Sequence, residues 1–585
     1  MFVVNLISSW LTFYSIIGVH LKKLSLSILA VLFTLNASAT IVQILHTNDL
    51  HSYYDHTIID ETRGSYSALK TKMDELEARA TAQGIATLRF DAGDFLEGNI
   101  YYMADNGKRS FKLMDEMGYD AVAVGNHDWL MGGSDLNKLL KEQPPLFEYL
   151  GANFKATNPL YTSIKKHIKP YATFRIDDLK IGVMGLTTNE LFYKWRFNGG
   201  VIKKPAKVGA KLSKKMKEHH GHDFVIALTH VGINGDKKII KKSSDIDMLI
   251  GGHSHTAIMK PLMVKDASGI KRPVVQTGAH ARFLGKTLLR LEKGKPLEIL
   301  DYKLIPIYTA DERDEEIDQY IHDTREILND KYGEDYLQEV MGYSHIKLRN
   351  SVSRLTPWSK LITDAIKESV DADISFHSPG FGGASLPNGE ITREMIFNSY
   401  PRVFDLENKY GWHVYKVDIF GVVLKSFIRL FLKGQFPVTF SGVTFDLIDD
   451  QNEIIDINAA IVRRDISTDP DHPLGVLGQF LGVDSDFNVV NIKVNGKKIK
   501  PYRKYRVSMP EGIVVGGFGI NGSVRHLLRK VSRSEVTIWD AVANKVRSVG
   551  VITKNYGKGD GYHRTSVLRK KFVKDIKIPF RREIL

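Results

Sequence analysis

Short apolar runs alternate with amphipathic stretches along the N-terminal half of the chain. The first apolar run, Ile41–His46, has the length of a buried strand, and amphipathic spacing at Ser65–Ala80 and Phe111–Met117 predicts helices. Further runs of strand length follow at Ala86–Phe90, Ala121–Val124, Lys180–Leu186, Phe224–Leu228 and Met248–Ile250. Strands that alternate with helices predict an α/β sheet covered on both faces.

The pattern changes after the charged segment Asp311–Tyr332, which has helical spacing. We interpret this segment as a connection between domains; the alternative is a surface helix of the first domain. A second, smaller α+β unit follows, with a helix at Ser359–Val370. Because 585 residues exceed one ordinary core, two domains are expected. The predicted boundaries are an N-terminal domain at 40–310, a linking helix at 311–340, a C-terminal domain at 341–563 and a basic tail at 564–585.

Residues 1–39 have the features of a targeting segment. Lys22 and Lys23 precede the apolar run Leu24–Leu35, and Ala37-Ser38-Ala39 is a small-residue cleavage site. The extra apolar stretch Met1–His20 is interpreted as an extended or misassigned start, with a membrane anchor as the alternative. We therefore expect an exported chain that begins near residue 40 and has no membrane span. Its location would be the periplasm in a Gram-negative source, and otherwise the cell surface or the medium.

Composition restricts the chemistry. The chain has no cysteine, which excludes disulfides, thiolate metal ligands and thiol nucleophiles. Any metal must be held by His, Asp, Asn or Glu, a ligand set that suits zinc, manganese or a similar divalent ion. The net charge of +14 favours a small anionic partner such as a phosphorylated substrate. Because the lysines and arginines are scattered and not interleaved with aromatic residues, nucleic acid is not an expected partner.

Five polar blocks each follow an apolar run. They are His46–His51, Ala92–Asp94, Gly125–Asp128, Thr229–His230 and Gly251–His255. Each block alone is typical of a hydrogen-bonded turn or a helix cap. Together they supply carboxylate, imidazole and amide groups at strand ends, where open α/β sheets assemble their sites. Two cations about 3.5–4 Å apart need such ligands and a bridging carboxylate, so the set predicts a dinuclear metal centre.

The order Asp-x-His, Gly-Asp, Gly-Asn-His-Asp, His and Gly-His-x-His resembles that of the calcineurin-like metallophosphoesterases. The sequence motifs at residues 46–51 and Lys180–Thr188 are similar to those of the secreted 5′-nucleotidase family, which includes UDP-sugar hydrolases and 2′,3′-cyclic-nucleotide phosphodiesterases. The resemblance covers most of residues 41–310 and continues more faintly to about 560. It implies a four-layer α/β/β/α sandwich followed by a nucleotide-binding C-terminal domain.

The resemblance also implies a role for each ligand. The residues matched to metal ligands are Asp49, His51 and His255 for one ion, Asn126, His230 and His253 for the other, and Asp94 as the bridge. A hydroxide between two divalent ions would attack phosphorus in line, and Asn126 and His127 are the predicted catalytic side chains. His127 would act near the leaving-group oxygen, as a general acid or as an electrostatic stabiliser of the transition state.

One departure from the family concerns this histidine. In the family this histidine is usually followed by the sequence Glu/Asp-Phe-Asp, in which the last Asp orients the imidazole. In this chain it is followed by Asp128-Trp129-Leu130. Three hypotheses remain: Asp128 orients His127, another carboxylate does so, or His127 acts without an orienting partner.

The C-terminal domain departs further. In the loop Ser378–Gly389 the family's arginine position is Gly383, and in the later glycine-rich signature an aspartate is replaced by Phe518 and an aromatic by Gly512. The candidate substrate-binding residues are Phe440, His377 and Arg402. Phe440 is alternatively a core aromatic residue, and the other two are alternatively ordinary surface residues.

The function expected from this resemblance is hydrolysis of phosphate esters or anhydrides, with nucleotides as the leading substrates. The motif Ser378-Pro379-Gly380-Phe381 is also similar to a motif of the sulfur-oxidation thiosulfohydrolases, although Gly382 stands where those enzymes have an arginine. A thiosulfohydrolase is therefore the second hypothesis. A non-catalytic binding protein on the same scaffold is the third, and it is disfavoured because none of the expected ligands is missing.

Overall fold

The protein is described from a computed structural model. The structure describes residues 39–55, 62–190, 193, 196–197, 199–351, 356–402, 411–433, 438–449, 454–455, 487–518 and 528–557. The predicted targeting segment up to residue 38 and the predicted basic tail lie outside these ranges. No helix within them is both long enough and apolar enough to cross a bilayer.

Fifteen strands build the described part of the N-terminal domain. They are β1 (Thr40–Thr47), β2 (Ala86–Asp91), β3 (Ala121–Ala123), β4 (Glu148–Leu150), β5 (Phe154–Ala156), β6 (Ile168–Lys169), β7 (Tyr171–Ile176), β8 (Leu179–Thr187), β9 (Gly200–Ile202), β10 (Phe224–His230), β11 (Met248–Gly251), β12 (Leu262–Lys265), β13 (Lys271–Val275), β14 (Phe283–Leu291) and β15 (Glu298–Pro306). Seven form one sheet in the order β15-β14-β1-β2-β3-β4-β6, and six form a second in the order β12-β13-β11-β10-β8-β7. Strands β5 and β9 pair separately.

Helices cover the outer faces of both sheets. They are α1 (Tyr66–Thr81), α2 (Lys108–Glu116), α3 (Gly133–Glu142), α4 (Thr162–His167), α5 (Pro205–Glu218) and α6 (Gly232–Lys242). Between the sheets, side chains of β1 such as Ile44 share one apolar core with Val183 of β8 and Ile226 of β10. Separate cores join α2 to the first sheet and α5 to the second. This layering is the predicted α/β/β/α sandwich.

The described part of the C-terminal domain combines three smaller sheets with helices. Its helices are α9 (Pro357–Glu368), α10 (Arg393–Ser399), α11 (Gly421–Lys433) and α12 (Ile538–Val549). Its strands are β16 (Val340–Ser344), β17 (Ile374–His377), β18 (Gly389–Thr392), β19 (His413–Phe420), β20 (Thr439–Ser441), β21 (Val443–Asp449), β22 (Ile454–Ile455), β23 (Phe487–Val494), β24 (Lys497–Lys498), β25 (Lys504–Pro510), β26 (Arg529–Thr537) and β27 (Val551–Ile552). The sheet orders are β18-β16-β27, β20-β17-β25-β19-β26 and β22-β21-β23-β24, which agrees with the predicted α+β class.

Local sequence signals explain where several helices begin. Ser65 caps α1 by accepting a hydrogen bond from the amide of Ala68 at 3.2 Å, and Thr356 and Ser359 form a capping box at the start of α9. Helix α7 (Glu315–Tyr332) begins after the capping side chain of Asp314 and has acidic residues in its first turn, which its dipole favours. It lies within the predicted linking segment and is followed by the short helix α8 (Glu334–Gln338).

The two domains contact each other beside the site described below. Leu130 and Tyr53 of the N-terminal domain are buried in one apolar cluster with Trp358 and Trp412 of the C-terminal domain. The side chain of Asn398 accepts a hydrogen bond from the amide of Ile100 at 2.9 Å. Loops from both domains therefore contact each other beside the site.

Candidate metal centre

The structure brings the predicted ligands together at the carboxyl ends of the central strands. The loop after β1 carries Asp49 and His51, the loop after β2 carries Asp94, and the loop after β11 carries the last two histidines. Five ligand positions have left-handed backbone torsions, with φ between 51° and 75°: Asp49, His51, Asp94, His253 and His255. Such torsions are costly for non-glycine residues and cluster at functional sites.

Three ligands form the first group. The Nε2 atom of His255 lies 3.2 Å from a carboxylate oxygen of Asp49. The Nε2 atoms of His51 and His255 are 3.1 Å apart, so the two ring nitrogens face one point. This group has the atoms and spacing of a metal site.

The second group contains Asp94, His230 and His253. The Nε2 atom of His230 is 2.9 Å from Oδ2 of Asp94, and the same oxygen lies 3.8 Å from Nε2 of His51 in the first group. Asp94 therefore lies between the two groups, as a bridging ligand must.

Asn126 gives an independent indication of a bound cation. Its side chain is 1 % exposed, and neither its amide oxygen nor its amide nitrogen has a hydrogen-bond partner among the described residues. A buried amide without partners is costly, and coordination of its oxygen to a metal ion would give that oxygen a partner and reduce the cost. The residues present therefore fit the divalent metal pair that the sequence predicts.

Hydrogen bonds at the far side of each ring fix the direction of the ligand nitrogens. Nδ1 of His51 lies 2.7 Å from the carbonyl oxygen of Glu97, and Nδ1 of His230 lies 2.8 Å from that of Ala92. Because a carbonyl oxygen can only accept, both rings donate through Nδ1, and Nε2 is the ring atom that faces the metal position.

The electrostatics of the group are those of a cation site. Burial alone would lower the pKa of His230, but the carboxylates of Asp94 and Asp49 raise it to about 10. Burial opposes ionisation of Asp94, yet the surrounding histidines hold its pKa well below the usual range. Two buried carboxylates thus stay ionised among imidazoles, which provides the negative charge that divalent cations require.

His127 lies at the edge of this centre, and its orienting partner is a residue outside the Asn-His-Asp block. Its Nδ1 contacts the carboxylate of Glu97, and its Nε2 lies 4.0 Å from Oδ2 of Asp94. Of the three hypotheses on orientation, the structure supports the one with another carboxylate.

Asp128 has a different role. Its carboxylate accepts hydrogen bonds from the backbone amides of Gly125 at 2.7 Å, Asp94 at 3.3 Å and Leu96 at 3.3 Å. It therefore ties the Asp94 loop to the Asn126 loop. Leu130, at the family's aspartate position, packs in the apolar cluster between the domains.

The three substrate-binding candidates lie in different environments. Phe440 is fully buried in the C-terminal core, where it contacts Phe376 and Phe445, as its core alternative predicts. His377 is also fully buried, contrary to its surface alternative. Burial lowers its pKa to about 3. Arg402 alone reaches the metal centre: its Nη1 lies 3.4 Å from Oε2 of Glu97.

The family's missing side chains have no room here. A Cβ atom at Gly383 would lie 2.6 Å from the carbonyl oxygen of Asn398 and 2.6 Å from Pro401. A Cβ atom at Gly512 would lie 2.1 Å from the indole of Trp412. Both glycines are thus required by the packing of the C-terminal domain.

Two polar residues of the site were not predicted. Glu97 contacts His127, and a carboxylate oxygen of Glu190 lies 3.4 Å from Nε2 of His253. Glu97 follows Asp94 by three residues in a glycine-flanked block, which was a usable signal. Glu190 lies two residues after Thr188 and carried no comparable signal.

Comparison with known proteins finds a match to one domain family in each half of the chain. The family model of calcineurin-like phosphoesterases matches residues 42–257, and that of the 5′-nucleotidase C-terminal domain matches residues 337–524. The chain therefore carries a calcineurin-like phosphoesterase domain followed by a 5′-nucleotidase C-terminal domain.

Individual relatives span both domains. The 5′-nucleotidase of Vibrio cholerae is 25% identical over 529 residues, which cover 81% of this chain and 85% of the relative. Three other curated relatives are matched over only 28% to 45% of their own length.

Two solved structures share the fold over 88% of this chain. A Thermus thermophilus 5′-nucleotidase precursor has a TM-score of 0.69 at 19% identity and is covered over 97% of its length. The Thermus thermophilus sulfate thiohydrolase SoxB has a TM-score of 0.65 at 17% identity and is covered over 95%.

Proposed function

We propose that this chain is an exported two-metal hydrolase that cleaves phosphate esters or anhydrides, with nucleotides as the leading substrate class. One observation carries the proposal. Asp94 lies between the His51 group and the His230 group. Its Oδ2 atom is 3.8 Å from Nε2 of His51 and 2.9 Å from Nε2 of His230. A buried carboxylate shared by two imidazole groups is the arrangement that a pair of cations needs.

The proposed assignment of ligands is the one that the resemblance implies, and these groups support it. Asp49, His51 and His255 would hold one ion, while Asn126, His230 and His253 would hold the other, with Asp94 common to both. When bound, the two ions would polarise the phosphoryl oxygens and activate water. Zinc and manganese both suit this mixture of imidazole, carboxylate and amide ligands.

The remaining chemistry belongs to the protein. Since Nδ1 of His127 is engaged by Glu97, its Nε2 faces the Asp94 carboxylate and the place where a substrate phosphoryl group would lie. From this position His127 would donate a proton to the leaving oxygen. The side chains of His127 and Asp94 are only 10% and 2% exposed, and this shielding strengthens the attraction of charged groups for the phosphate.

Nucleotides are proposed as substrates because 5′-nucleotidases such as the Vibrio cholerae enzyme are relatives over both domains. The export of the chain is proposed from the residue 1–39 pattern. The thiosulfohydrolase hypothesis is kept because the loop begins Ser378-Pro379-Gly380-Phe381.

A substrate panel tests the proposal. Protein starting at Thr40 is assayed with Mn²⁺ or Zn²⁺ against nucleoside mono-, di- and triphosphates, UDP-sugars, 2′,3′-cyclic nucleotides and thiosulfonates, with phosphate and sulfate release measured separately. Phosphate release is the expected result. Sulfate release alone would favour the thiosulfohydrolase, and no release with any metal would contradict a hydrolase and favour a binding protein.

A further inference from the structure

Glu97 connects the metal centre to the C-terminal domain. It follows Asp94 in the loop after β2 and has no solvent-exposed surface. Its backbone carbonyl accepts from His51, and its Oε2 atom contacts both His127 and Arg402. One carboxylate oxygen therefore joins a predicted catalytic histidine to an arginine from another domain.

Arg402 is held in place from its own side. It follows α10 in the C-terminal domain, and its side chain is 11% exposed. Its Nε atom donates to the carbonyl oxygen of Phe381 at 2.9 Å, within the loop Ser378–Gly389. The guanidinium thus connects this loop to Glu97, with Nε bonded to the loop and Nη1 facing the carboxylate. A planar guanidinium can make two such contacts at once because its donors point in different directions.

We propose that Glu97 and Arg402 form an interdomain positioning pair that orients His127, so that the C-terminal domain controls protonation of the leaving group. The proposal rests on the proposed hydrolytic function. In that reaction, water adds to phosphorus and the bond from phosphorus to the leaving oxygen breaks. Nε2 of His127 gives its proton to the leaving oxygen, and the attacking water releases a proton to solvent that later restores the ring.

The pair acts on this step through orientation. A histidine that donates Nδ1–H to a fixed carboxylate has its ring plane and its Nε2 direction set. Without Arg402, the Oε2 atom of Glu97 would keep only the His127 ring as a side-chain partner among the described residues, and the carboxylate could rotate away from that ring. The resulting fall in kcat would appear only with substrates whose leaving oxygen needs a proton.

Leaving-group dependence tests the proposal. Arg402→Met and Glu97→Gln are compared with wild type on 4-nitrophenyl phosphate, whose phenolate leaves without a proton, and on an alkyl phosphate, whose alkoxide needs one. We expect kcat on the alkyl phosphate to fall roughly tenfold to a hundredfold, part of the gain that acid catalysis supplies. On 4-nitrophenyl phosphate we expect a change below about threefold, with KM and metal content near wild-type values.

Conservative and double variants separate positioning from substrate binding. Arg402→Lys keeps a cation and should recover part of the lost kcat, whereas the surface control Arg506→Ala should behave as wild type. If Arg402 acts through Glu97, the double variant loses no more than Glu97→Gln alone. Equal losses on both substrates, a raised KM with unchanged kcat, or multiplicative losses would overturn the proposal.

Thermal unfolding provides a readout without activity. The shifts in unfolding midpoint of the two single variants should not add up in the double variant, because each removes the same contact. Additive shifts in the unfolding midpoint would contradict the proposed pair, even if the protein has no hydrolytic activity. If the wild-type protein has no phosphatase activity but the midpoint shifts are not additive, the proposed function is contradicted and the contact between Glu97 and Arg402 is supported.

Discussion

The Oδ2 atom of Asp94 lies 2.9 Å from Nε2 of His230, a ring with no solvent-exposed surface. In the absence of metal this contact is an ion pair, because the neighbouring carboxylates raise the pKa of His230 to about 10. A metal ion held by His230 and Asp94 would have to displace the proton from His230. Metal binding should therefore release protons and replace the ion pair as the link between the two ligand groups.

Asp94→Asn should abolish the dinuclear centre. An amide oxygen carries no charge and bridges two cations poorly, so we expect loss of at least one metal ion and a fall in kcat/KM on the order of a hundredfold or more. Metal content by mass spectrometry and the rise of the unfolding midpoint on adding Mn²⁺ are the measurements.

Asp330→Asn is the matched control, since Asp330 is an exposed residue of α7. It should bind metal and respond to Mn²⁺ as wild type does. Two metal ions and unchanged hydrolysis in Asp94→Asn would contradict the two-metal assignment.

Asp128 should be a structural residue and not the partner of His127. Asp128→Ala removes the acceptor of three backbone amides, of which that of Gly125 is the closest. A buried amide left unpaired costs about 1–3 kcal/mol, so the unfolding midpoint should fall. Asp128→Asn retains one acceptor oxygen and should lose less. The expectation is wrong if Asp128→Ala unfolds at the wild-type midpoint and shows only the leaving-group defect expected of Glu97→Gln.

The sequence predicts the strands and helices well because they depend on local rules. The apolar run at 224–228 corresponds to β10, and the amphipathic run at 65–80 to α1, with ends that agree within two residues. Ligands at strand ends follow from the same pattern, since parallel strands place their carboxyl ends on one edge.

Side-chain partners could not be predicted in this way. Asp128 is adjacent to His127, yet the ring turns to Glu97, 30 positions earlier. Arg402 reaches Glu97 across 305 positions, and only the docking of the two domains creates that contact. The burial of Phe440 depends equally on packing between β20 and its neighbours, which no local pattern specifies.

Restoring the family's arginine at position 383 should damage the fold and bring no gain in nucleotide binding. Since a Cβ atom there would collide with the carbonyl oxygen of Asn398 and with Pro401, Gly383→Arg should destabilise the C-terminal domain by about 1–3 kcal/mol. Thermal unfolding and the KM for a nucleoside monophosphate are the measurements.

Gly380→Ala is a control in the same loop, because its Cβ atom would approach only the hydroxyl of Ser378, at 3.3 Å. Its midpoint should stay near that of wild type. A stable Gly383→Arg variant with a lowered KM would show that the loop accepts the family's arginine after all.

Acid should destabilise the metal-free protein partly through His46. This ring is fully buried against Gly285, neither of its nitrogens has a hydrogen-bond partner among the described residues, and burial lowers its pKa to about 3. The unfolded chain takes up this proton near pH 6.5, whereas the folded chain does not. The stability that depends on the neutral ring is therefore complete above pH 6.5 and falls as the pH drops towards 3.

His46→Phe removes this dependence. Between pH 7 and pH 5 the variant should lose about 2 kcal/mol less stability than wild type, the cost of protonating one unfolded-state histidine. Urea unfolding of the metal-free proteins at both pH values measures the difference, and a packing cost of the larger ring cancels because it is the same at each pH. The exposed residue His322 gives the control, since His322→Phe should retain the wild-type pH dependence. Equal losses in wild type and His46→Phe would show that His46 becomes protonated without unfolding the chain.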